Sequence, residues 1–301
     1  MKKIFTALIF LTAIFLTACG DSRYERQEIF MGTVITLKAT GPDAEVAVDE
    51  SFRVIDALIK NIFADVKKIE DAAGTGDFVE ISPDVYKSLE TAQIFSELTD
   101  GAFDVTIGAA IDLWGFRDKN FRVPTDDELT CVKNFVGHEH LHLRDGKAYL
   151  DKRGVKINLG GVAKGYGVDL VRKIFAAHGI RDGLIDFGTS TIFAVGTKKI
   201  GVKNPQAEDE MSAVVELKNS ALSTSGDYEK FFVANGRRYT HIIDPKTCAP
   251  VDREKFSVTV VVDGSVENCG TVADILSTAA FIDRERVEKI LSTKKIPAKI
   301  L

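Results

Sequence analysis

The chain reads as an α+β fold in a single domain, with mainly antiparallel sheets flanked by helices. Short β-branched runs cluster in its second half, and helical spacing interrupts them in pairs instead of alternating strand by strand, which argues against a doubly wound sheet. No repeat, low-complexity tract or Pro/Gly/Ser-rich linker divides the body. With 301 residues and 45% apolar content, there is enough chain to bury one large core.

The N-terminus stands apart. Lys2 and Lys3 precede an apolar run from Ile4 to Ala18 broken only by threonines. Such a run is short for a membrane span and has the proportions of a signal h-region. It ends in Leu16-Thr17-Ala18-Cys19-Gly20, which resembles a bacterial lipoprotein box, with cleavage before Cys19 and lipid on its thiol. The expected division is a signal peptide over residues 1–18, a lipidated tether over 19–27 and a globular body over 28–301.

In the body, Val34-Ile35-Thr36-Leu37 reads as a strand. Phe52, Ile55, Ile59, Ile62, Val66 and Ile69 recur at three- and four-residue steps, one face of a long helix from about Asp43 to Glu70. Ser82-Pro83 opens a second helix, serine as N-cap and proline at the first helical position, running to about Leu98 before Gly101. From Phe103 to Val123 the pattern is irregular and holds the only tryptophan, Trp114. Strands are expected at Ala148–Asp151 and Val155–Leu159, then a helix from Ala163 to about His178, capped by Gly179. Further strands fit Leu184–Phe187, Thr191–Val195, Ala213–Leu217, Tyr239–Ile243 and Val258–Val262, and helices fit Ala273–Phe281 and Arg284–Leu291.

A net charge of −5 without any dense Lys/Arg tract excludes the usual nucleic-acid footprint. Beyond Cys19, the three cysteines Cys131, Cys248 and Cys269 cannot all pair within one chain, and no C-x-x-C or Cys/His cluster points to zinc. His138, His140 and His142 crowd a segment that reads as a surface loop.

Four constellations could carry chemistry. Gly160-Gly161-Val162-Ala163-Lys164-Gly165-Tyr166-Gly167 packs four glycines into eight positions ahead of a helix, where bare backbone can approach an anion. It has neither the dinucleotide nor the Walker spacing, and a tight strand-to-helix turn accounts for the same glycines. Ser223-Thr224-Ser225-Gly226 offers three successive hydroxyls, as a ligand-binding loop or a capped turn. His241, at the end of an apolar strand before Asp244-Pro245, is either a structural imidazole or a proton acceptor. Asp274, Ser277 and Thr278 stand at i, i+3 and i+4, hence on one helix face, as hard oxygen donors for Mg²⁺ or as a capping cluster.

Taken in this order, with Met31-Gly32-Thr33, Gly101-Ala102-Phe103-Asp104, Leu113-Trp114-Gly115-Phe116 and Leu184-Ile185-Asp186-Phe187-Gly188, the four resemble one family over roughly Phe30 to Ile282. It is the bacterial FAD:protein FMN transferases, or ApbE family. The resemblance implies cleavage of the FAD pyrophosphate and transfer of FMN to a threonine or serine hydroxyl of a partner protein, with release of AMP. By the same resemblance, Met31, Ala102, Phe103 and Asp104 line the FAD pocket, and Gly160, Lys164, Tyr166 and Ile242 fall at or beside further contacts. The Ala163 carbonyl, Asp274, Ser277 and Thr278 would hold Mg²⁺, and His241 would be a general base of near-neutral pKa.

The implied partners are FAD and acceptor flavoproteins of membrane redox complexes, reached from a lipid anchor on the outer face of the bacterial cytoplasmic membrane. An FAD pyrophosphatase with water as acceptor, or a non-catalytic FAD-binding lipoprotein, are the competing readings. Two departures border the expected cleft. Gly188-Thr189-Ser190 stands where paired glycines are common, and Thr247-Cys248 where Thr-Gly is common. A β-carbon at position 248 costs energy if φ is positive there, or narrows the pocket.

Overall fold

Alternating side chains in the first described strands set up the main sheet. In the computed structural model, which describes residues 22–301 apart from Thr189, Glu208, Asp209, Glu229 and Glu254, β1 (Arg23–Phe30) and β2 (Thr33–Thr40) form an antiparallel hairpin. Its two-residue turn is Met31-Gly32, both at positive φ (51° and 74°), the geometry that matches strand twist. β1 begins ahead of Glu28, so residues 23–27 of the stretch expected as a polar tether are strand. The expected signal peptide, Cys19 and Thr189 lie outside the described residues.

Helix α1 (Ala44–Asp71) follows, and its predicted stripe buries Phe52, Ile55 and Ile69 in the core. After β3 (Val79–Glu80), Pro83 opens α2 (Pro83–Leu98). The region expected to be irregular holds two short helices, α3 (Gly108–Leu113) and α4 (Asp126–Val132). Thr125 and Glu128 close a capping box on α4, a local signal present in the sequence. β4 (Leu141–Arg144) and β5 (Lys147–Leu150) join β3 in a small sheet. Val155–Leu159 is not a strand: its one ladder contact is a bridge from Lys156 to Ile107, and it runs as an extended lead into α5 (Ala163–Ala177).

β6 (Asp182–Phe187), β7 (Thr191–Lys203) and β8 (Met211–Gly226) then form a meander. The Ser223–Ser225 hydroxyls sit within β8, not in a turn. Two small hairpins, β9 (Phe231–Ala234) with β10 (Arg237–Thr240) and β11 (Ile243–Asp244) with β12 (Ala249–Pro250), bracket His241. β13 (Ser257–Asp263), α6 (Cys269–Ile282), α7 (Arg284–Lys294) and β14 (Ala298–Ile300) complete the chain.

The seven-stranded sheet runs β1-β2-β6-β7-β8-β13-β14 with every neighbouring pair antiparallel, the α+β architecture expected. Helices α1, α5 and α6 pack on it, burying Phe175, Phe187 and Phe281 completely. Burial of each such ring stabilises by about 1.5–3 kcal/mol, the term that offsets chain entropy here. Strand alternation sends Leu222 and Val261 to the opposite face, where they join Val202, Val215 and Leu217 in a smaller cluster.

Helices α5 and α6 approach unusually closely. A β-carbon on Gly165 would lie 2.4 Å from the Gly270 carbonyl oxygen, and one on Gly270 2.7 Å from the Gly165 oxygen. Only glycine at both positions allows this crossing, and the crossing places Asp274 against the start of α5.

Candidate functional site

Gly165 and Asp274 are the meeting point. The Gly165 N–H donates to Asp274 Oδ2 at 2.9 Å, while the Ser223 hydroxyl, 3.4 Å away, donates to Oδ1. Asp274 is 2% exposed, and burial raises its pKa against the opposing pull of the Lys164 ammonium. Around it stand more oxygens. Ser225 Oγ lies 2.9 Å from Ser277 Oγ and 3.3 Å from Thr278 Oγ1, and Ser277 and Thr278 both donate to the Asp274 backbone carbonyl. Asp274 lies in the second turn of α6, so the capping alternative falls away.

Asp274, Thr278 and Ser225 line a cleft of about 240 Å³. Its lining includes Ala102, Phe103 and Asp104, then Gly160, Gly161 and Lys164, then Ser225, His241 and Ile242, with Asp274 and Thr278. A second recess of about 470 Å³ adjoins it, sharing Lys164, Ser190, Thr224 and Lys230, and Met31, Gly32 and Thr33 line its far side. Met31 thus stands at the site at φ 51°, a conformation that costs a residue with a β-carbon roughly 1–2 kcal/mol.

Most N–H groups of the glycine loop are taken within the protein. Gly160 N–H is taken by the Asn158 side chain at 2.8 Å, Val162 and Ala163 N–H by the Leu159 carbonyl, and Gly165 N–H by Asp274. Three of the glycines also serve close packing. A β-carbon on Gly161 would crowd Phe103 and Thr278 at 3.0 and 3.1 Å, and one on Gly167 would enter the Phe187 ring at 2.6 Å. Positive charge for an anion comes from the Lys164 and Lys230 side chains in the cleft wall.

His241 sits between β10 and β11, and its backbone N–H and its Nδ1 both donate to the Lys230 carbonyl, at 3.1 and 3.0 Å. A carbonyl only accepts, so Nδ1 carries the proton and Nε2 keeps its lone pair. Burial, with Lys230 and Lys164 nearby, pushes the imidazole pKa down to about 4. That departs from the near-neutral value expected, because two ammonium groups and desolvation all oppose a third positive charge.

Besides Met31, which lines the adjoining recess, three expected site residues sit outside the cleft wall. Tyr166 turns its hydroxyl to Asp84 Oδ1 at 2.9 Å, and burial beside that carboxylate raises its pKa. Ser277 is buried behind Ser225, and Ala163 lies in the first turn of α5, two residues from the Gly165 contact. His138, expected on the surface, stands 3.8 Å from the cleft carboxylate Asp104. Asp104 has its pKa raised by burial and pulled back by donation from Thr106 N–H and Oγ1 at 2.8 and 2.7 Å. His140 and His142 instead share the Asp151 carboxylate.

Cys248 has φ 56°, the strained conformation anticipated, and is fully buried beneath Trp114, whose Nε1 donates to its carbonyl at 2.9 Å. It does not line the cleft. Burial pushes its thiol up to about 11 and the Cys269 thiol up to about 12; with Cys131 all three are free. Two residues gave no local signal in the sequence: Lys230, whose carbonyl holds His241 and whose side chain joins the cleft wall, and Asn158, which pins Gly160.

A donor set of one buried carboxylate, serine and threonine hydroxyls and neighbouring backbone fits a small hard cation such as Mg²⁺. Asp274 is a buried carboxylate whose hydrogen bonds come from neutral donors and whose neighbouring cation is Lys164, and a bound cation would further offset its desolvation. No group of three or more His, Cys, Asp or Glu able to hold a metal occurs among the described residues.

Residues 31–300 match the model of the ApbE family. The FAD:protein FMN transferase of Treponema pallidum is 30% identical over 88% of this chain and 81% of its own length. That of Haemophilus influenzae is 30% identical over 94% and 88%. Among solved structures, the ApbE protein of Thermotoga maritima aligns with TM-score 0.79 at 31% identity, covering 93% of this chain and 94% of that one. The flavin transferase ApbE of Vibrio cholerae aligns with TM-score 0.77 at 27% identity over 92% and 93%.

Proposed function

We infer the reaction from one premise: this chain belongs to the ApbE family and is a transferase. Its relatives carry FMN from FAD to protein, and this chain does the same. In finer terms we propose that the acceptor is a threonine or serine hydroxyl and that AMP leaves.

The observation that carries this reading is the imidazole of His241, held by Nδ1 on the Lys230 carbonyl in the same cleft as Lys164, Asp274 and Thr278. Nε2 takes the proton of the acceptor hydroxyl as its oxygen attacks the phosphorus on the FMN side. The bond from that phosphorus to the AMP phosphate oxygen breaks, and AMP departs with the electron pair. Binding alone needs no base; deprotonating a hydroxyl does, at about 10²–10⁴ in rate. Lys164 and Lys230 draw the pyrophosphate into the cleft and neutralise part of its charge.

Asp274, Thr278 and Ser277, with the Ala163 carbonyl, are the proposed holders of Mg²⁺. When bound, the ion supplies Lewis-acid stabilisation of the pyrophosphate. Ala102, Phe103 and Asp104 in the cleft, and Met31 in the adjoining recess, are the proposed FAD contacts, with Gly160, Lys164 and Ile242 beside them.

The proposed lipid anchor at Cys19 precedes β1 by four residues. β1 then spans eight residues to the Met31 turn, about 26 Å at ~3.3 Å per residue. No helix among the described residues is long and apolar enough to cross a membrane.

Incubation with FAD, Mg²⁺ and a candidate flavoprotein acceptor tests the reaction. A mass gain on the acceptor equal to esterified FMN, with one AMP released, is the expected result. Free FMN and AMP with an unmodified acceptor would instead make water the acceptor.

A further inference from the structure

One face of α5 grips the start of α6 at three successive turns. Gly165, Asp169 and Arg172 stand at i, i+4 and i+7, a single stripe. Gly165 makes the backbone contact and holds Asp274. Asp169, 1% exposed, receives three donors from the first turn of α6: Gly270 N–H at 2.9 Å on Oδ1, and Thr271 N–H at 2.8 Å and Thr271 Oγ1 at 2.7 Å on Oδ2. Arg172 donates to the carbonyls of Gly264 and Glu267 at 3.0 and 2.7 Å and to Cys269 Sγ at 2.9 Å, tying down the loop that feeds the helix.

A helix N-terminus ordinarily leaves its first N–H groups to its own cap or to water. Here Asn268 makes no side-chain cap, and the capping carboxylate comes from another helix. Because a helix is stiff, fixing Thr271 fixes what lies on its face. Asp274 and Thr278 are three and seven residues on, the same stripe of α6 that lines the cleft. The charge-assisted bonds of Asp169 therefore set the height and rotation of those two oxygens relative to Lys164.

We propose that Asp169, supported by Arg172, is a positioning residue for the cation-holding groups Asp274 and Thr278, locking α6 in register with the start of α5. This rests on the metal assignment made above. Asp169 touches neither metal nor substrate; it acts through the backbone of Gly270 and Thr271.

Mn²⁺ serves as the probe, its binding to the FAD-free protein measured by electron paramagnetic resonance. Asp169→Asn turns an amide N–H₂ toward donors it cannot accept from. Its Mn²⁺ affinity is expected to fall about tenfold or more, the usual scale for outer-shell partners. The Mg²⁺ concentration for half-maximal transfer is expected to rise in parallel, while excess Mg²⁺ restores kcat and leaves KM for FAD near its original value. Thr271→Val, which keeps both backbone bonds, is expected to show the same shift at smaller size and stands in if Asp169→Asn does not fold.

Unchanged Mn²⁺ affinity in the folded variant, or a loss of rate that excess Mg²⁺ does not restore, would overturn the positioning role. Failure of the unaltered protein to bind Mn²⁺ would instead remove the metal assignment itself.

Discussion

The backbone carbonyl of Lys230 accepts the Nδ1 proton of His241 at 3.0 Å, so a main-chain atom eleven residues away decides which nitrogen of the imidazole is basic. The same residue's ammonium helps hold that imidazole neutral, as does Lys164. Neutral and correctly protonated is the state a general base needs.

The pH dependence follows with a definite sign. With the His241 pKa lowered from 6.5 to about 4, kcat/KM for transfer should stay level as pH falls through 6.5 and drop only toward 4. The depressed pKa also means that the unfolded chain binds a proton the folded one refuses, so stability is complete above 6.5 and is lost as pH falls from 6.5 toward 4. His241→Ala should lose about 10²–10⁴ in transfer, keep FAD affinity, and show a flatter stability profile in that window. Equal loss of FAD affinity and rate in that variant would identify a ligand contact instead of a base.

Asp274→Ala removes the one carboxylate among the proposed cation holders. AMP release should vanish and Mn²⁺ binding with it, while circular dichroism stays native, because α6 remains packed on β8 and β13. Ordinary turnover by this variant in dilute Mg²⁺ would take the cation out of the mechanism.

Cys248→Gly relieves a positive φ worth roughly 1–2 kcal/mol and gives up the burial of a small thiol worth about 1 kcal/mol. The expected outcome in urea unfolding is a stability within about 1 kcal/mol of the parent. KM for FAD should not move, since the side chain lies under Trp114 and outside the cleft wall. A severalfold change in KM would place position 248 in the nucleotide site after all.

Cys19→Ser tests the anchor. Cell fractionation should find the variant in the soluble extracytoplasmic fraction and the parent in membranes. Retention of the variant in membranes, released only by detergent, would point to an uncleaved signal segment.

Helix boundaries came close to expectation wherever periodicity and caps agreed, as for α1, α2 and α5. Val155–Leu159 has strand-like residues but no partner strand beside it; it bonds to Ile107 and, through the Ile157 N–H, to Glu70. Strand propensity reports side chains that suit a pleated surface, and only the surrounding sheet supplies the ladder. β1 escaped notice because its charged outward residues, Arg23, Glu25 and Arg26 among them, read as a polar tether.

By itself the sequence determined the α+β class, the family, and which residue types could do chemistry, because these depend on local spacing and on motifs carried intact along the chain. Tertiary structure alone decided how they act. Of the four glycines that suggested an anion cradle, Gly161, Gly165 and Gly167 pack closely on Phe103, Gly270 and Phe187, while the N–H groups of Gly160 and Gly165 are taken by Asn158 and Asp274, since whether an N–H is free depends on what folds against it. The tautomer and low pKa of His241 required Lys230 and Lys164 to converge from distant segments. Electrostatics and steric contact act through space, and sequence separation says nothing of that distance until the chain has closed.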